Sequence, residues 1–120
     1  MITGYYCTNI FSEQAKELIG FYRDVLEIPV LKTDVDESNG VYLGFIEHAP
    51  TLCIWDCKAF DAQPTGYQSF VFQTKNLDAT IEHLKAKGLS PAEPVRFDWG
   101  TYELRLNDPD GNEIVIAELV

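Results

Sequence analysis

The chain passes through the same order of elements twice, and this repeat constrains its fold more than any other feature. Cys7 matches Ser69 and Cys53 matches Val115 at a spacing of 62, and Ile28 matches Leu89 at 61. A period of this size marks a duplicated supersecondary unit. The first repeat covers about residues 1–57 and the second about 66–120. The linker, near residues 57–65, contains Pro64 and other turn formers. The whole chain of 120 residues suits one domain with one core.

In the first repeat, Tyr5–Ile10 alternates apolar and polar residues and reads as a strand. Ser12 is placed to cap a helix from Glu13 to about Leu26. Ala15, Leu18, Ile19, Tyr22, Val25 and Leu26 follow the 3.6-residue period of a helix with one buried face. Strands are then expected at Val30–Thr33, Val41–Ile46 and Thr51–Trp55, the last two across a turn containing Pro50. Asp34, Asp36 and Glu37 with Ser38-Asn39-Gly40 read as an acidic, solvated loop.

The second repeat opens with a strand over Ser69–Thr74. Asn76 caps a helix carrying Leu77, Ile81 and Leu84, and Gly88 ends it in a left-handed conformation. Ala92–Arg96 is a weak strand, and Thr101–Leu106 with Glu113–Leu119 form the final hairpin. Alternation assigns the faces. Ile114 and Ile116, Phe70 and Phe72, and Leu104 and Leu106 suit the side packed on a helix. Glu113, Val115, Ala117, Ser69, Val71, Gln73, Thr101, Glu103 and Arg105 then point inward.

Charge and cysteine usage narrow the function. Nine basic residues against nineteen acidic give a net charge of −10. Nucleic acid and anionic membrane are disfavoured, because phosphate binding needs clustered Lys and Arg. A cationic small ligand is compatible, although acidic charge also serves solubility alone. No apolar run reaches the roughly 18–20 residues that span a bilayer, and the first residues lack the marks of a signal peptide. Cys7, Cys53 and Cys57 show no zinc-ribbon spacing, so reduced thiols in a cytoplasm are the simplest reading.

Motifs across nearly the whole chain resemble one family. Asn107-Asp108-Pro109-Asp110-Gly111-Asn112-Glu113-Ile114 resembles the Asp-Pro-Asp-Gly-Asn hairpin of the glyoxalase / bleomycin-resistance / dioxygenase (vicinal oxygen chelate) superfamily. Pro109 and Gly111 supply the φ values that such a turn needs. Phe21-Tyr22-Arg23-Asp24-Val25-Leu26 resembles the family's first-helix signature, with Glu27 standing where Gly is usual. Asn76-Leu77-Asp78-Ala79 and Trp99-Gly100 also fall in place. The resemblance implies an α+β fold: two βαβββ repeats forming an open, curved mixed sheet around a cavity, helices on the outer face, commonly paired as a homodimer.

In metal-using members the ligands are His, His or Gln, and Glu at four inward strand positions. By the resemblance these fall on Cys7, Ser69, Cys53 and Val115. Val offers no lone pair, and hard divalent ions need imidazole or carboxylate. No metal or other cofactor is therefore expected. The candidate ligand-binding residues are Cys7, Asn9, Cys53, Trp55, Ser69, Gln73, Trp99, Glu103, Arg105 and Val115. Trp55 reads equally as core or ligand contact, and Trp99 reads as a stacking residue. Glu103 and Arg105 either pair with each other or orient a polar ligand. Cys7 and Cys53 are reactive thiols or small buried residues. His48 in a turn and His83 on the solvent side of the second helix carry no catalytic constellation.

Two functions follow. The first is a metal-free protein that binds a small, antibiotic-like or aromatic molecule, similar to bleomycin-resistance proteins. The alternative is a lyase, isomerase or dioxygenase with atypical metal ligands, or acid–base work by Glu103 or Glu113. A purely associative module is a weaker third, since fold does not fix function.

Overall fold

The computed structural model describes residues 1–33 and 39–119. The acidic-loop reading at Asp34, Asp36, Glu37 and Ser38 lies outside them. The chain divides into two compact units, Met1–Gly66 and Tyr67–Val120. Each is a βαβββ unit with a four-stranded mixed sheet, as the repeat implies.

The first unit contains β1 (Cys7–Ser12), α1 (Ala15–Gly20), a π-helical turn (Phe21–Val25), β2 (Val30–Thr33), β3 (Gly40–Leu43) and β4 (Thr51–Asp56). Its sheet order is β1-β4-β3-β2, with β1 parallel to β4 and the other pairs antiparallel. Ile10, Val41, Leu43 and Ile54 are buried on one side of the sheet, and α1 supplies buried Ala15, Leu18 and Ile19.

Four expectations change here, the first being that the strand expected over Val41–Ile46 ends at Leu43, where its pairing with β4 stops opposite Leu52. β1 starts two residues later than Tyr5 and runs to Ser12, because ladder pairing with β4 begins at Cys7 opposite Thr51. Ser12 is accordingly the last strand residue rather than a helix cap. Its Oγ accepts a bond from the Gln14 N–H at 3.0 Å, a local turn that starts the helix later. The helix itself is not continuous to Leu26. It widens at Phe21, with the Leu26 N–H reaching the Phe21 carbonyl, and closes with the Ile28 N–H on the Tyr22 carbonyl, both at 3.0 Å. That six-to-one closure needs a left-handed residue at its corner. Glu27 supplies it at φ 57°, a conformation that costs a non-glycine residue about 1 kcal/mol. The departure from Gly therefore changes the residue and keeps the backbone path.

The second unit contains β5 (Ser69–Gln73), α2 (Leu77–Ala86), β6 (Val95–Phe97), β7 (Thr101–Asn107) and β8 (Glu113–Leu119), in sheet order β5-β8-β7-β6. The weak strand lies later than Ala92–Arg96, since pairing with β7 runs only from Val95 to Phe97. Asn76 caps α2 as expected, accepting from the Ala79 N–H at 3.0 Å, and Glu118 accepts from the Leu77 N–H at 2.7 Å. Gly88, at φ 94°, follows the helix in the left-handed region. Leu77, Ile81 and Leu84 bury against the side of the sheet carrying Leu104, Ile114 and Ile116.

The two units repeat down to register. Shifting both partners by 62 converts Cys7 opposite Thr51 into Ser69 opposite Glu113, and Asn9 opposite Cys53 into Val71 opposite Val115.

The hairpin motif clamps the second sheet. Asp108 is buried and accepts from the Asp110 N–H, the Asn112 N–H and the Asn112 Nδ2, each at 2.9 Å. The Asn112 Oδ1 in turn accepts from the Gln68 N–H at 2.8 Å, and the Glu113 N–H reaches the Gln68 carbonyl at 2.9 Å. One asparagine thus joins the β7–β8 turn to the start of β5. Asn112→Ala strands buried polar groups at both ends and should cost about 2–3 kcal/mol in urea denaturation; a loss below about 0.5 kcal/mol would show that the clamp is dispensable.

Candidate functional site

The expected ligand residues divide between the units. Cys7, Asn9, Cys53 and Trp55 lie in the first. Ser69, Gln73, Trp99, Glu103, Arg105 and Val115 lie in the second.

In the second unit, residues directly opposite in the ladder share a face. On the face turned away from α2, four rows follow from the register. Phe97, Thr101 and Leu119 form the first; Val95, Glu103, Ala117 and Gln73 the second. Arg105, Val115 and Val71 form the third, and Asn107, Glu113 and Ser69 the fourth. The alternation predicted from the sequence therefore places Ser69, Gln73, Glu103, Arg105 and Val115 together.

A polar chain crosses these rows. Ser69 donates to Glu113 Oε1 at 2.7 Å, and Arg105 donates to Glu113 Oε2 and to Glu103 Oε1, each at 3.2 Å. Thr101 closes the chain by donating to Glu103 Oε2 at 2.6 Å. Glu103 and Arg105 pair with each other, and Glu113 joins them, so that two carboxylates share one guanidinium. The formal charge of these side chains together is −1. Glu113 was not among the residues singled out as ligand contacts. Its inward position was legible from alternation, but its role depends on Ser69 being exactly one strand away, which only the parallel register reveals. The Ser69 hydroxyl, with the Arg105 guanidinium, holds the Glu113 carboxyl below its usual range.

Trp99 stands at the Thr101 end of this face. Its ring stacks on Phe97, with centroids 4.2 Å apart and planes 10° from parallel, yet it remains 67% exposed. Gly100 follows at φ 101°, the left-handed turn that delivers the chain into β7. The stack leaves Trp99 largely exposed at the Thr101 end of the face that carries Glu103, Arg105 and Glu113.

The four residues of the first unit also share one face, turned away from α1. Trp55 is held on several sides. Its Nε1 donates to Asn9 Oδ1 at 2.9 Å, and its ring meets Tyr42 and Phe60 edge-on at 5.3 Å each. It also lies flat over Gly40, where an added Cβ would come within 2.1 Å of Cε3. Trp55 is thereby packed within the first unit while remaining only half-buried, and Asn9 anchors its indole N–H. Cys53 is fully buried, and burial, against a bond from Thr51, pushes its thiol up to about 11.

These donors do not suit the metal of the family's enzymes. Val115 has no lone pair, Ser69 is committed to Glu113, and a hard divalent ion prefers imidazole or carboxylate. Among the described residues, no three of His, Cys, Asp and Glu are grouped so as to hold a metal ion. His48 sits in the β3–β4 turn at φ 67° and is exposed. Among the described residues no helix is long and apolar enough to cross a membrane.

A duplicated βαβββ unit with first and last strands parallel defines a class of α+β proteins. Residues 6–116 match the model of the Glyoxalase/Bleomycin resistance protein/Dioxygenase superfamily, and the chain belongs to that superfamily. Solved structures with the same fold include TnmS3, an antibiotic binding protein from Streptomyces sp. CB03234. It is 18% identical at a TM-score of 0.78, with 99% of this chain and 98% of that one covered. A lactoylglutathione lyase from Agrobacterium tumefaciens is 18% identical at 0.72, covering 98% and 95%. A virulence protein from Salmonella typhimurium is 22% identical at 0.75, covering 100% and 99%. No curated protein sequence matches significantly.

The depressed Glu113 carboxyl gives a signed pH dependence. Its bonds contribute fully above the ordinary value of 4.5 and are lost as pH falls through the lower folded value. The stability advantage of the wild type over Glu113→Gln should therefore be largest near neutrality and shrink below pH 4.5. Parallel stability–pH curves for the two proteins would contradict the Ser69–Glu113–Arg105 assignment.

Proposed function

We propose that this protein binds a small organic molecule bearing a planar aromatic ring and a cationic or hydrogen-bond-donating group, without a metal. The observation that carries this reading is the exposed Phe97–Trp99 stack on the same sheet face as Glu103, Arg105 and Glu113. The ring lies on Trp99 and the donor group on the carboxylates, with Ser69 and Gln73 adding hydrogen bonds and Val115 an apolar floor. Cys7, Asn9, Cys53 and Trp55, on the corresponding face of the first unit, remain candidate ligand contacts of that unit. The antibiotic-binding function printed for TnmS3 supports the class of ligand. An acidic balance of −10 favours a cation.

The two repeats are read as one functional domain of a homodimer in a reducing cytoplasm. Three free thiols fit such a compartment. Each four-stranded sheet has two edge strands, and such edges are surfaces that a second chain can cover. Sedimentation at micromolar concentration should give twice 13.6 kDa; a 13.6 kDa species alone rejects the dimer.

The ligand reading is tested with a thermal-shift panel of planar aromatic amines and their matched carboxylates. The amines should bind more tightly. For any amine that binds, Trp99→Ala should weaken affinity about tenfold or more, combining stacking with lost apolar area. Glu103→Gln should weaken the amine more than a neutral aromatic analogue. Unchanged affinity in both variants, with folding intact, excludes this face as the site.

A further inference from the structure

Of the five asparagines in this chain, Asn39 alone precedes a glycine. That pairing permits a reaction within the backbone itself. The Gly40 nitrogen can attack the Asn39 side-chain carbonyl, and glycine puts no side chain in the way. The fold in turn demands glycine at this position. Trp55 lies on it, and an added Cβ would come within 2.1 Å of Cε3. The contact that requires a glycine at 40 therefore also creates the reactive step at 39.

The same contact restrains the step. Ring closure needs the Asn39–Gly40 peptide unit to rotate out of its extended setting, and that unit turns as one rigid plane. Its carbonyl accepts from the Asp56 N–H at 2.8 Å. Gly40 is buried, with Trp55 directly opposite in the β3–β4 ladder. Trp55 is tied to Asn9 through Nε1 at 2.9 Å and flanked by Tyr42 and Phe60. Gly40 is nevertheless the first residue of β3, and a strand end opens at less cost than the whole unit.

We propose that Asn39 is a spontaneous deamidation site whose rate is gated by the seating of Trp55 on Gly40. The Gly40 nitrogen bonds to Asn39 Cγ and gives up its proton. The Cγ–Nδ2 bond breaks, and ammonia leaves with that proton. Water then opens the cyclic imide at either carbonyl, giving aspartate or isoaspartate with no change of oxidation state. Either product adds one negative charge at the start of β3. Isoaspartate also lengthens the backbone by one carbon, which shifts Gly40 from its place against the ring. The site lies wholly in the first unit and is independent of the ligand face on the second.

The test is incubation of the full chain in mildly alkaline buffer, followed by peptide mapping by mass spectrometry and an isoaspartate assay. In the folded wild type, Asn39 should convert faster than Asn9, Asn76, Asn107 and Asn112, and more slowly than in the same chain unfolded in urea. Trp55→Ala should speed conversion at Asn39 about tenfold and leave the other four sites unchanged. Asn9→Ala, which frees the indole N–H but keeps the ring, should give a smaller acceleration. Thermal melts check that both variants are folded, and steady rates at the remaining asparagines exclude global unfolding as the cause. A folded wild type in which Asn39 converts no faster than the other asparagines removes the site. Equal wild-type rates at Asn39 in buffer and in urea, or wild-type rates there in both folded variants, overturn the gating.

Discussion

Parallel pairing between the first and last strand of each unit is the constraint on which the rest depends. A parallel pair cannot be closed by a tight turn, so the chain must cross over between them. α1 and α2 are those crossovers, and each covers one side of its own sheet. The opposite side is left for chemistry. On it, the pairing sets Cys7 diagonally from Cys53 and Ser69 directly opposite Glu113. A one-residue slip would turn all of these into the helix-packed side.

The clasp at the second unit shows how that register is fixed. Asp108 organises its own turn through backbone donors, and Asn112 carries the order across to Gln68. The position of Ser69 follows directly, since it comes next in the chain after Gln68. A turn motif distant in sequence from β5 thereby decides which hydroxyl meets Glu113. Motif and site are linked by a single side chain.

Much of this was legible in the residues. The faces of β5, β7 and β8 followed from alternation, because one side must match the apolar stripe of α2. Asn76 and Gly88 marked the ends of α2 by their chemistry. The first helix was harder to read. Its apolar period runs unbroken from Ala15 to Leu26, and periodicity is blind to a widened turn whose backbone bonds shift by one residue. Trp55 was ambiguous because a tryptophan on an inward face reads as core or as contact until its neighbours are known. The contact with Gly40, fifteen residues away, shows what one side of the ring packs on. Glu113 was named only as an inward carboxylate and candidate acid or base, because its partners on β5 and β7 are set by cross-strand register, which a single sequence does not display.

The shared register of the two halves has an evolutionary consequence. After a duplication, both copies inherit identical demands at the helix-packed positions and equal freedom on the other face. The first copy has filled its diagonal with sulfur and the second with a hydroxyl and a branched hydrocarbon, while the ladder beneath has not moved by one residue. Divergence of chemistry has therefore needed no innovation in architecture. Each half can drift toward a different kind of guest while its sibling continues to supply an unaltered scaffold.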